Sequence, residues 1–367
     1  PYVRAGQKTV KSRLERTHWK RGIEDLLTAT DTGIVKMLLA DNILADKKGH
    51  TCPDCKKGTL GKLQYMAGRG LVYRCSKRGC QRYVLPQQDH LIFNAAWGSS
   101  HTSLQMQAAT LLCGLAGLSI TATHTLTQKN DKMIRGIYQR LDQCRKMVVE
   151  RDEKKIVFGK LMEWNDVEAD ECDLAKVDVG GAKADKNAKV VQWEQWGGVV
   201  ERGAPKTLVL NRLNPIMTKR RSPGPGPIKK TDWQPVAKKL LTNKKVILHT
   251  DGAKSYRLKT SHVDGIIHDW VVHKKKKKMV RGKAVWIRPK YVQLFQHKLP
   301  CGKVIRAKGG TQIIDRVWSF LRDHIGKRTC KVQSTPMRNR IRSAQWCYWH
   351  RGEDLWLETG KMLQSCQ

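Results

Sequence analysis

Three acids and four cysteines are the residues whose types and spacing could do chemistry. Asp170 sits in "VEADE", Asp251 ends "VILHTD", and Asp315 lies in "TQIIDRVW". Cutting or joining a phosphodiester needs an in-line nucleophile and stabilised charge on the attacking and leaving oxygens. Two Mg²⁺ or Mn²⁺ ions about 3.5–4 Å apart supply both, and carboxylates are their natural hard ligands. One carboxylate between the ions and one on either side is a sufficient set. Each acid also has a plainer reading. Asp170 shares an acidic patch with Asp166, Glu171 and Asp173. Asp251 before Gly252 could make a turn. Asp315, four residues after a candidate N-cap at Thr311, could complement a helix dipole. The layout favours chemistry: one acid within a strand, one at a strand end, one in the first turn of a late helix.

The cysteines read Cys52-x2-Cys55-x19-Cys75-x4-Cys80. Each pair suits a tight turn, and the spacer lets the two turns face each other around a tetrahedral ion. Four thiolates close that shell, so the expectation is structural Zn²⁺ in a zinc ribbon, with no open position for catalysis. Seven further cysteines are scattered and the total of 11 is odd. That pattern is unlike a secreted disulfide scaffold and points to a reducing compartment.

Charge names the partner class. The 367 residues carry 70 Lys+Arg against 32 Asp+Glu, a formal charge of +38. Such an excess implies a polyanion, and nucleic acid is the commonest one. An RNA-binding zinc-ribbon protein is a rival. A membrane surface is disfavoured, since no apolar run approaches about 18 residues. The excess is concentrated: residues 270–314 hold 13 Lys/Arg and no Asp or Glu, with Lys274, Lys275, Lys276, Lys277 and Lys278 in one run. A charge run is usually a solvated face. One of this length beside a core reads better as a track for phosphates, and a nuclear localisation signal can overlap it.

The elements that must position these residues follow from periodicity. "TGIVKMLLADNILAD" predicts a short helix. "SLQMQAATLLCGLAG" puts Leu104, Ala108, Leu111, Leu112 and Leu115 on one stripe, and Ser119 can cap a second helix, "ITATHTLTQ". A third runs through "NDKMIRGIYQRLDQCRKMVV" with Met133, Ile137, Leu141, Cys144 and Val148 inward. Helix, glycine-containing turn, helix is the helix-turn-helix pattern, though an ordinary bundle would look alike. Five strand candidates follow: "KLMEWNDVEADECDLAKV", "KVVQWEQWGGVVERG", "KTLVLNRL", "KVILHTD" and "IHDWVVH". Alternation sets Glu168 and Asp170 on one face. "GAKSYRLKT" can form a short helix and "YVQLFQHKLPCGKVIRA" a hairpin. In "GGTQIIDRVWSFLRDHIG", Ile314, Val317, Trp318 and Leu321 form a buried stripe, while Asp315, Ser319 and Arg322 share a neighbouring face. The aromatic "WCYWHRGEDLW" is expected to close the core rather than to stack bases.

The series of four cysteines, helix-turn-helix, "VEADE", "VVERG", "HTDGAKSY" and "TQIIDRVWSFLR" resembles DDE-type transposases of the Merlin kind, relatives of bacterial insertion-sequence transposases. The resemblance spans about residues 30 to 350. It implies a multidomain α/β chain: an RNase H-like mixed sheet with flanking helices, preceded by a zinc ribbon and a helix-turn-helix. It further implies Mg²⁺- or Mn²⁺-dependent cutting of transposon ends and transfer of the freed 3′-OH to target DNA. By that resemblance Asp170, Asp251 and Asp315 hold two ions, with Asp315 where the family usually has Glu. Arg322 would grip a phosphate, and Gln312 matches a polar position beside the catalytic helix. Gly310 stands where a His is usual. The expected parts are a basic helical extension (1–45), the ribbon (46–98), the helix-turn-helix (99–157), the catalytic domain (158–352, basic insert about 274–310) and a tail (353–367). A homo-oligomer assembled on DNA is expected, in a nucleus if the source is eukaryotic and in cytoplasm if bacterial. The alternative is a transposase-derived DNA-binding protein whose acids no longer act.

Overall fold

Apolar residues recur at helical spacing through 104–149 and alternate through 165–271, and the architecture changes at the same place. The computed structural model describes residues 18–95, 102–159, 163–181, 185, 187–241, 245–257, 266–273, 276–288, 291–326 and 331–366. They fall into two units: one runs to Val148 and resumes at Gly352, and the other is Val149–Arg351.

The first unit opens with α1 (Ile23–Leu27) and α2 (Asp31–Ala40), where the Thr30 hydroxyl accepts the Gly33 amide as an N-cap. A small antiparallel sheet follows: β1 (Gln64–Met66), β2 (Gly70–Arg74) and β3 (Tyr83–Val84). Then come α3 (Leu104–Leu115), α4 (Ile120–Thr127) and α5 (Asp131–Asp152). The α3 stripe Leu104, Ala108, Leu111, Leu112 and Leu115 is buried, and Ser119 caps α4 by accepting the Ala122 amide. In α5, Ile137, Leu141, Cys144 and Val148 are buried; Met133 is only half-buried, and Ile134 beside it is fully so. Residues 353–367, expected as a tail, carry a helix at Leu355–Gln364 that closes this unit. Trp356 is fully buried and its indole donates to Asp41 at 3.0 Å.

The second unit is built on one mixed sheet. Its strands are β4 (Asn165–Asp178), β5 (Val191–Glu201), β6 (Val209–Arg212), β7 (Met217–Thr218), β8 (Val246–Asp251) and β9 (Ile266–Val271). The order is β6-β5-β4-β8-β9, with β7 on the far end of β5. β4, β5 and β6 are antiparallel neighbours, whereas β8 runs parallel to β4 and β9 parallel to β8. α6 (Lys230–Leu240) makes the crossover from one half to the other. It packs Trp233, Ala237 and Leu240 against Val167, Ala169, Val199 and Leu248. Alternation then sends Glu168 and Asp170 to the opposite face.

Two hairpins, β10–β11 (Lys276–Val280, Lys283–Ile287) and β12–β13 (Gln293–Lys298, Val304–Gly309), precede α7 (Gln312–Ile325) and α8 (Thr335–Trp349). On α7, Ile314, Val317, Trp318 and Leu321 are buried; on α8, Trp346, Cys347, Tyr348 and Trp349 are buried too. The late aromatics are core. The protein is therefore mixed α/β, with helices flanking a mixed sheet and a separate four-cysteine cluster.

Candidate functional site

β4 and β8 place two of the three acids. The parallel register pairs Glu168 with His249. Two residues further on, on the same face, stand Asp170 and Asp251, where β8 ends and β4 continues alone beside β5. The chain leaves β4 towards one edge of the sheet and leaves β8 towards the other. Such a switch point opens a crevice at the carboxyl ends of the strands.

α7 brings the third. It lies along β4 in matched steps: Ile313 and Ile314 amides meet Glu168 (2.7 and 2.9 Å), Trp318 Nε1 meets Asp170 (3.0 Å), and Arg322 Nη2 meets the Cys172 thiol (2.8 Å). Four residues of helix rise about 6 Å and two of strand about 6.7 Å, so contacts at i, i+4, i+8 meet strand positions i, i+2, i+4. Close approach requires Gly198, opposite Asp170 on β5: a Cβ there would sit 2.7 Å from the Trp318 ring. Asp315 is on the exposed side of this helix, and Thr311 donates to it at 3.3 Å.

Thr311 does not cap α7 with its side chain. Glu168 does that work from across the sheet, a carboxylate on a helix N-terminus. It is fully buried and ion-paired with Arg202 Nε at 2.6 Å. Arg202 in turn donates to the carbonyls of Lys308 (2.6 Å) and Gly310 (2.8 Å), pinning the chain as it enters α7. Gly310 is at φ +125°, and a Cβ there would strike the Gln312 amide and the Tyr291 carbonyl. Gln312 itself donates to Tyr291 O at 2.8 Å. Behind Asp251, His249 is buried between Asp166 (2.8 Å) and Asp269 (2.7 Å), and Asp269 also meets His297 at 3.0 Å. Burial alone would lower the His249 pKa, but the bonds to Asp166 and Asp269 raise it.

The electrostatics join the three acids. Burial raises Asp170 well above the usual carboxylate range, and the charges of Glu171, Asp315 and Asp251 push it further. Only the Trp318 indole acts the other way among its main influences. Asp315 is raised by burial and by Asp251, against Thr311 and His273. Asp251 accepts the Ala253 amide at 2.8 Å, so the turn reading and convergence on Asp170 hold together. Hard oxygen donors crowded by like charge fit a divalent cation. Their oxygens do not gather into a set mutually within 4.8 Å, as the cysteine sulfurs do.

Arg322 is exposed and engages Cys172 and the Asp173 carbonyl. Lys277 and Lys278 are exposed on β10, Lys276 lies in that strand, and Lys274 and Lys275 fall outside the described residues. Sequence reasoning missed the Glu168–Arg202 clasp and the Asp166–His249–Asp269 network. The alternation of "VEADE" was the one available signal for Glu168. Arg202 lies in "VVERG", one of the motifs that carry the resemblance, but nothing local assigned it a role.

Cys52, Cys55, Cys75 and Cys80 form the second constellation. Their sulfurs lie within 4.8 Å of one another, with Cys52–Cys80 at 4.0 Å and Cys55–Cys75 at 3.7 Å. Backbone amides of Lys57 and Gly58 hold the Cys55 thiol down, to about 6, while burial pushes Cys75 up to about 12. Gly58 is required by the close approach: a Cβ would lie 2.5 Å from Cys75 Sγ. Four sulfurs at this spacing can hold a structural metal such as zinc. The chain matches no protein-family model, no curated protein and no solved structure.

Proposed function

We propose that this protein is a DDE-type DNA transposase, cutting transposon-end phosphodiesters and transferring the 3′-OH to target DNA. The observation that carries the reading is that Asp170, Asp251 and Asp315 come from three different elements and that Asp251 and Asp315 lie near enough for their charges to raise Asp170. The mixed sheet, with a helix laid along its central strand, supports an RNase H-like catalytic domain. The four-cysteine cluster supports a zinc ribbon, and α3–α4 support a helix-turn-helix that exposes Thr121, His124 and Thr125. The charge of +38 supports a nucleic-acid partner.

Asp170, Asp251 and Asp315 would hold Mg²⁺ or Mn²⁺, which supplies positive charge against that developing on the phosphoryl oxygens. The protein's own contribution is preorganisation. Trp318 and the Ala253 amide fix one oxygen each of Asp170 and Asp251, and the Glu168–Arg202 clasp fixes the helix bearing Asp315. Exposed Lys277 and Lys278 would hold the DNA backbone.

Incubation of the full chain with duplexes carrying its flanking repeats tests the reading. Divalent-dependent nicking is expected, and Asp251→Ala should reduce it by at least about a hundredfold. Duplex binding without nicking in Mg²⁺ or Mn²⁺, and no change in Asp251→Ala, would leave a DNA-binding protein with relict acids.

A further inference from the structure

The lysine run is not a featureless charge track. β10 and β11 pair from Lys276↔Ile287 to Val280↔Lys283, closed by Arg281 and Gly282 at φ 49° and 73°. Two left-handed residues in a two-residue loop make the type I′ turn, whose twist suits antiparallel strands. Among the described residues no third strand joins this pair. Every described side chain from Lys277 to Arg288 is exposed, including Met279 at 64% and Trp286 at 62%.

Cross-strand partners share a face. Lys277 with Trp286 and Met279 with Ala284 make one face; Lys278 with Val285 and Val280 with Lys283 make the other. Both faces therefore mix cations with apolar groups, and residues 270–314 contain no acid to offset them. A lone two-stranded hairpin is marginal in water, and this one keeps five large apolar side chains wet: Met279, Val280, Val285, Trp286 and Ile287. What covers it must be anionic and must enclose both faces. A flat anionic membrane would cover one face only. The major groove of duplex DNA admits a two-stranded ribbon between two phosphate walls.

We propose that the 276–287 hairpin enters the major groove of duplex DNA, with Lys277, Lys278, Arg281 and Lys283 on the phosphates and Trp286 and Met279 against base edges. This rests on the DNA reading above but not on catalysis. It differs from a phosphate track in requiring the apolar side chains.

The test uses the full-length Asp251→Ala protein on a 30-base-pair duplex of about that length class, read by anisotropy over a salt series and by dimethyl sulfate protection of guanine N7. The parent protein should protect N7, a major-groove atom. Trp286→Ala with Met279→Ala should weaken binding about tenfold with the salt slope unchanged and remove the part of the N7 protection that the hairpin gives. Lys277→Gln with Lys278→Gln should lower the slope by about 2. Absence of N7 protection by the parent protein overturns the proposal whether or not any variant folds. So does unchanged affinity in the apolar double variant, or binding to single strands or phosphatidylserine vesicles as tight as to duplex. Duplex binding without N7 protection sinks the ribbon alone; protection without nicking by the Asp251-containing protein sinks the nuclease reading alone.

Discussion

Asp170 has three carboxyl neighbours and one donor, the Trp318 indole, on a largely buried strand. Its pKa is raised in the folded state, so above the ordinary value near 3.8 the native protein holds a proton that the unfolded chain releases. By linkage, stability falls as pH climbs from the ordinary value through the raised one. A divalent cation, by supplying the missing positive charge, should reverse that loss. Asp170→Asn keeps an acceptor for Trp318 and removes the charge. The expected result is a metal-free Tm near neutral pH higher by about 2–4 °C, together with a smaller gain on adding Mg²⁺. Calorimetry with and without Mg²⁺ decides it; a variant that melts like the parent in both conditions contradicts the electrostatic account. The acid types and their strand placement were legible in the sequence. The perturbation of Asp170 by Asp251 was not, because it depends on β8 ending beside the middle of β4.

Elements with a clear period were legible and those with mixed signals were not. The five strands β4, β5, β6, β8 and β9 and the helix α7 lie where alternation and helical spacing put them. α6 went unread because Pro235 sits inside it and a Pro/Gly-rich stretch runs into it. The β10–β11 hairpin was hidden by its lysines, which are poor strand formers by propensity. The cap of α7 was misplaced for a deeper reason: the capping carboxylate comes from Glu168, 146 residues from Ile314, and local rules see only Thr311. That long-range cap makes a prediction at the element scale. Glu168→Gln preserves volume but takes from buried Arg202 its nearest carboxylate, leaving Asp166 at 3.9 Å, and removes the anion from the helix N-terminus. The unit should lose about 3–5 kcal/mol in urea melts. Nicking should fall while duplex affinity stays, since Glu168 is fully buried. A loss of affinity equal to the loss of nicking would show that the clasp only maintains the fold.

At the scale of the whole chain, the two constellations make opposite demands. Asp170 and Asp315 of the second unit are shifted towards the protonated form, and a hard cation would offset their crowding. To hold a metal the cysteines of the first unit would need to be thiolates, and the sheet around them is only three short strands. Cys52, Cys75, Leu60, Tyr73 and Val84 form one buried cluster, with Val72 of β2 buried as well, and two of those five would be ligands. A metal that binds only the folded cluster contributes its binding free energy to folding. Stripping it with a thiol-competing chelator such as 1,10-phenanthroline should therefore unfold the region of β1–β3, and hydrogen exchange there should rise to the intrinsic rate. The β4–β9 sheet owes none of its packing to the cysteines, so its exchange should stay slow. Duplex affinity should fall, because the four-cysteine region and α3–α4 belong to one unit. Gly58→Ala should reproduce the effect without chelator, since the added Cβ displaces Cys75 Sγ. Retained protection across β1–β3 after metal loss, verified by elemental analysis, would mean that the cluster folds on apolar packing alone and that its thiols are free for another role.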